Sequence, residues 1–122
     1  MARDLDVLRE SAVGGMGHAC ELETSLILAE RPELVHERLF SPDGRWPRSR
    51  FMAKDMLHPG KASLAATFDE LSENGTVGDP RTASAEKGKA FFSTIIHGLS
   101  ELVTEMEDGS IKHFNAVGLE RS

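Results

Sequence analysis

A chain of 122 residues with a formal charge of −6 has the length of one domain, and its acidity makes a poor partner for phosphate backbones. With 39% hydrophobic and 28% charged residues it has the composition of an ordinary globular protein rather than a disordered one. A lone cysteine, Cys20, excludes an internal disulfide framework, and no apolar run reaches membrane-spanning length, so neither nucleic acid nor a membrane is expected as a partner. The N-terminus lacks the apolar stretch of a secretion signal, and a cytoplasmic location is expected.

Residues 4–10 read as a short helix with Leu5 and Leu8 on one side. Gly14, Gly15 and Gly17 then break the chain, so 1–17 is a lead-in helix and a glycine-rich loop. The motif region, 18–40, begins a helix near Ala19, with Leu22, Leu26 and Ala29 at helical spacing and Ile27 and Leu28 widening the apolar face. Glu21 and Glu23 lie where negative charge suits the helix dipole. Pro32 opens a second short helical turn, since a proline at a first helical position loses no needed donor.

Residues 41–83 form a long loop region. Within it 41–60 holds Pro42, Gly44, Pro47, Pro59 and Gly60, and a loop of this length is either functional or covers another surface. Residues 62–71 fit a strand or a helical turn, while Asn74-Gly75 and Gly78-Asp79-Pro80 mark turns. The clearest element is an amphipathic helix over 84–107. Phe91, Phe92, Ile95, Ile96, Leu99, Leu102, Val103 and Met106 repeat at three- and four-residue steps and predict one buried stripe. Residues 108–122 are a short mixed tail. Helices and turns without convincing strands make a thin core, which suits a chain that leans on another subunit.

The segment from Gly17 to Ser25 carries the chemistry. Glycines let the backbone turn sharply and approach a ligand closely. His18 follows at a helix start, and histidine is the side chain best matched to proton transfer near neutral pH. A carboxylate beside it holds the ring in one tautomer and supports the imidazolium. Glu21 shares a face with His18 if the helix starts early; if His18 stays in the loop, either Glu21 or Glu23 can reach it. The plain reading of the same residues is a surface turn with a pair of helix-starting glutamates. Cys20 as a nucleophile is disfavoured by the two neighbouring carboxylates, and a small buried residue is its expected role. Among the other histidines, His58 beside Pro59-Gly60 is a pocket candidate, and His97 is a helix-edge residue. Trp46 reads as an anchor at a subunit contact in preference to a substrate-stacking ring.

Gly17-His18-Ala19-Cys20-Glu21-Leu22-Glu23-Thr24-Ser25, followed by Arg31-Pro32-Glu33-Leu34-Val35, resembles the creatininase (creatinine amidohydrolase) family. A second block agrees: Gly75-Thr76-Val77-Gly78-Asp79-Pro80, then Ala83 and Ala85-Glu86-Lys87-Gly88. The resemblance covers residues 10–102 and implies an α/β fold, here the helix-rich C-terminal half of an α/β/α layered structure with a mainly parallel sheet. It implies hydrolysis of a cyclic amide or related small substrate by oligomers that use two divalent metals, zinc or manganese. In that family the histidine matching His18 shuttles a proton and the glutamate matching Glu23 supports it, which makes His18 and Glu23 the catalytic candidates. Gly17, Cys20, Glu21 and His58 are the pocket candidates.

Two departures qualify the expectation. Family members are about twice as long and carry their metal ligands in an N-terminal half with no counterpart here, so this chain is expected to supply no metal ligand. A partner chain carrying that half, a homo-oligomer, or both would complete the site. Cys20 also stands where the family has glycine, a side chain that crowds the backbone or narrows the pocket. Two rival readings are a non-catalytic assembly or ligand-binding module, and a free-standing enzyme built on His18, Glu21 and Cys20.

Overall fold

The computed structural model describes residues 1–109; the tail from 110 onward, with His113, lies outside the described residues. Four helices follow in chain order: α1 (Ala2–Leu8), α2 (Glu21–Glu30), α3 (Phe68–Leu71) and α4 (Ala85–Glu107). Two single 3-10 turns, Pro32–Leu34 and Glu37–Leu39, follow α2. The chain is helix-rich, as its sequence predicts. Among the described residues no strand forms, and pairing is confined to isolated β-bridges.

The core lies where α1 and α2 meet the first half of α4. α2 buries Glu21, Leu22, Ser25 and Leu28, a helical face that alternates polar and apolar side chains. Ser84 caps α4 by accepting from the Lys87 amide at 3.1 Å, and its own amide donates to the buried Ser25 hydroxyl, also at 3.1 Å. The start of α4 is thus tied to the middle of α2. Phe91 is fully buried against Leu5, Met16, Cys20 and Leu22.

Gly88 sets how closely the two helices approach. A β-carbon at this position would run into the Ser25 carbonyl and come within 2.9 Å of the Ala29 β-carbon. Gly88→Ala should therefore invert the usual sign of a helix-interior substitution. Alanine ordinarily gains up to about 1 kcal/mol over glycine in a helix. Here the helices must separate, and a net loss of about 1–3 kcal/mol is expected from overpacking. Urea unfolding of the variant reads this directly, and a gain in stability would show that α2 and α4 separate freely.

The stripe on α4 departs from its prediction. Phe91 is buried and Ile95 half-buried, but Ile96, Leu99, Leu102, Val103 and Met106 are 45–61% exposed. The reason is coverage rather than pattern. α1 starts with the Met1 side chain against Gly98, and among the described residues no named element covers the apolar face beyond it.

The long loop region is held by two buried or half-buried carboxylates. Asp43 accepts from the amides of Gly44, Glu73 and Asn74 and from the Ser72 hydroxyl, at 2.6–3.0 Å. The Gly44 amide, then those of Asn74 and Glu73, hold its carboxyl far below the usual carboxylate range. Asp55 is fully buried and accepts from the amides of Gly14, Leu57 and His58, with the Arg9 guanidinium at 2.9 Å. Burial pushes Asp55 up, but the Gly14 amide, Arg9 and His58 outweigh it and hold the carboxyl below its ordinary value.

Candidate functional site

His18 is placed by its backbone. Its amide donates to the Val77 carbonyl and the Val77 amide donates back, both at 2.8 Å, an antiparallel bridge between the two motif blocks. Gly78 is bridged in turn to Asp43. Gly17 makes the approach possible, because a β-carbon there would strike the Val77 carbonyl and lie 2.8 Å from the Trp46 ring. Trp46 donates its indole N–H to the Gly14 carbonyl at 2.9 Å, so this half-buried ring braces the glycine turn that leads into His18.

The chain then reverses at Ala19, the one non-glycine among the described residues with positive φ, at 48°. Left-handed backbone costs an L-residue roughly 1–2 kcal/mol, and bridge and helix on either side hold it there. Cys20, the position of the family glycine, has φ −97°, extended backbone that any residue adopts. Its side chain is fully buried, with Sγ 3.8 Å from Met16 Sδ. It occupies the core and crowds no cleft. Burial pushes the thiol pKa up, which leaves no activated nucleophile.

The two glutamates part company on α2. Glu21 is fully buried and points away from His18. Its carboxylate accepts from the Glu10 and Ser11 amides, both at 2.8 Å, and from Lys87 Nζ at 2.6 Å. Lys87 also donates to Glu10 Oε2 and the Thr82 carbonyl, so Glu21 joins the lead-in loop to α4. Glu23 faces the other way. Its Oε2 accepts from the Cys20 amide at 3.3 Å, closing the capping box of α2, and its Oε1 lies 3.7 Å from His18 Nδ1. The Phe68 ring meets the imidazole edge-to-face, with centroids 4.9 Å apart at 67°.

His18 and Glu23 line one end of an open cleft of about 450 Å³. Its apolar lining includes Ile27 from α2, and Leu34, Leu39 and Phe40 from the two 3-10 turns and their end, with His36 in the same stretch. Of the sequence candidates, the structure brings His18 and Glu23 together. Gly17 supports His18 from behind, Cys20 and Glu21 lie in the interior, and His58 is elsewhere. His58 closes a loop against α1, with Nδ1 3.1 Å from Asp55 and Nε2 3.4 Å from Asp6. Sequence reasoning missed Phe68, which no spacing signals, and gave no role to Lys87, which it met only as part of the second motif block. His18, Glu21 and Cys20 do not converge, which removes the basis for a free-standing site on those three.

Among the described residues no group of three or more His, Cys, Asp or Glu side chains could hold a metal ion. The described residues therefore do not fit a divalent metal centre. Among them also, no helix is long and apolar enough to cross a membrane.

The structure thus sets a histidine, with a carboxylate behind it, beside a small open cleft. The family model described as "Creatininase: Creatinine amidohydrolase" matches residues 1–103, and the chain belongs to that family. The family implies an α/β fold and a metal-dependent amidohydrolase activity. No curated protein and no solved structure matches the chain.

Proposed function

We propose that this chain supplies the proton-transfer wall of an amidohydrolase site that acts on a cyclic amide or related small cyclic substrate. The observation that carries the reading is the His18–Glu23 couple at the mouth of the cleft, in a chain of the creatininase family. Among the described residues no polar partner meets His18 Nε2, while Nδ1 faces Glu23. Nε2 is then the atom that gives a proton to the leaving nitrogen or takes one from the attacking group. Glu23 offsets the positive charge that His18 gains in doing so.

The metals belong, in this proposal, to a metal-binding half outside the present sequence, which also brings the parallel sheet and the α/β/α layering. Either a partner chain or further polypeptide serves. Zinc or manganese is the expected ion, and the assembled protein is an oligomer of the cytoplasm.

The test is co-expression with candidate metal-binding partners, metal analysis of the purified complex, and an amidase assay. His18→Ala in an active complex is expected to lower kcat by at least about a hundredfold, the lower end for loss of a general acid–base. A second reading, a non-catalytic assembly module, is favoured by the exposed apolar half of α4. It predicts a complex whose activity His18→Ala leaves unchanged.

A further inference from the structure

We propose that Phe68 is a positioning residue for His18, a role that rests on the proton-transfer reading above. Three observations lead to it. First, the carboxylate alone does not fix the ring: the 3.7 Å from Nδ1 to Glu23 Oε1 exceeds hydrogen-bond length, and Glu23 also serves the Cys20 amide. Second, the His18 side chain is 53% exposed, so its bridge with Val77 fixes the backbone while leaving the imidazole room to turn. Third, the Phe68 ring closes part of that room by its edge-to-face contact.

The phenylalanine is itself held in the same frame as the histidine. α3 is a single turn closed by a capping box, in which Glu70 accepts from the Thr67 amide at 2.8 Å and hydroxyl at 3.0 Å. Ser72, just after α3, donates to Asp43 at 2.9 Å. Asp43 is bridged to Gly78, and Val77 beside it is bridged to His18. Hydrogen bonds, joined by the peptide link between Val77 and Gly78, therefore connect the residue that ends α3 to the backbone that carries His18. Phe68 is 55% exposed and stands apart from the buried cluster of Leu5, Met16, Cys20, Leu22 and Phe91. A large apolar ring in that place contributes little to the core, and its ring contact is with the candidate catalytic imidazole.

The experiment reads His18 directly by side-chain NMR of the 122-residue chain, without reference to turnover. In Phe68→Ala the His18 ring-proton resonances are expected to move, and the cross-relaxation between the two rings to vanish, while the fold and thermal midpoint stay close to the parent. Phe68→Tyr should restore the resonances, and Phe68→Leu, which fills space without a ring, should not. In an active complex the same Phe68→Ala change should lower kcat by up to about a hundredfold, with KM little altered, and Phe68→Tyr should restore it. Unmoved His18 resonances overturn the proposal, as does a kcat that stays at the parent value when the resonances have moved. Loss of the proton-transfer reading would show itself separately, as full activity in His18→Ala.

Discussion

Lys87→Met is expected to destabilise the chain by about 3–5 kcal/mol, the usual cost of breaking a buried ion pair by removing one partner. Glu21 is fully buried, and among the described residues Lys87 Nζ, at 2.6 Å, is the cation that meets it. Without the ammonium, Glu21 must stay charged in the interior or take up a proton and weaken its bonds from Glu10 and Ser11. The double variant Glu21→Gln with Lys87→Met should recover much of the loss, because no uncompensated charge remains. Guanidinium unfolding of the three proteins measures this. A loss below about 1 kcal/mol for Lys87→Met would mean that water reaches the pair, as at exposed ion pairs.

The same pair shapes the response to pH. Burial pushes Glu21 up, but Lys87 and the Ser11 and Glu10 groups outweigh it and leave the carboxyl below its ordinary value. Asp55 is lowered as well. Unfolded carboxylates take up protons near pH 4, before the folded ones do. This part of the stability is therefore full above that range and is lost as pH falls through the lower folded values. For Lys87 burial acts downward, while Glu10 and Glu21 raise the pKa to a net value above the ordinary one. Its contribution is full below about pH 10, the ordinary lysine value, and is lost as pH rises through the folded one. Stability plotted against pH should show a plateau between these limits, and the acid limb should be shallower in Lys87→Met.

Phe91→Ala should cost about 3–5 kcal/mol, since its ring is fully enclosed and the site cannot collapse without moving α1 or α2. Leu102→Ala lies about three turns beyond it on the same stripe, at a half-exposed position, and is expected to cost well under 1 kcal/mol. Denaturant midpoints at constant slope compare the two. Equal costs would show that the second half of α4 is covered in solution.

The contrast between those two positions marks how far the sequence can be read. The period of α4 and the turn opened by Pro32 are local signals, and α4 and that turn follow them. Periodicity says that a stripe wants cover; it does not say how far along the helix the cover extends. Glu21 and Glu23 sit in one helical turn with the same chemistry. What separates them is Lys87, 66 residues from Glu21, and the His18 imidazole on the other side. His58 had the surroundings of a pocket residue in its loop, and the partners that claim it, Asp6 and Asp55, come from α1 and from the loop itself. Phe68 shows nothing in its spacing, because its meaning is a contact made across the fold.

The bridge between His18 and Val77 bears on the order in which the site forms. A nine-residue motif is short enough to pass for a local object, able to take its shape as soon as it is made. Here the shape depends on closing long loops of chain, whose entropic cost must be met before the contacts that reward closure exist. Without the segment around Val77 and Gly78 beside residues 15–18, the histidine backbone loses its bridge and Ala19 loses one of the two flanks that hold its left-handed turn. The couple of His18 and Glu23 thus rests on a contact between segments about sixty residues apart, which the motif cannot make by itself.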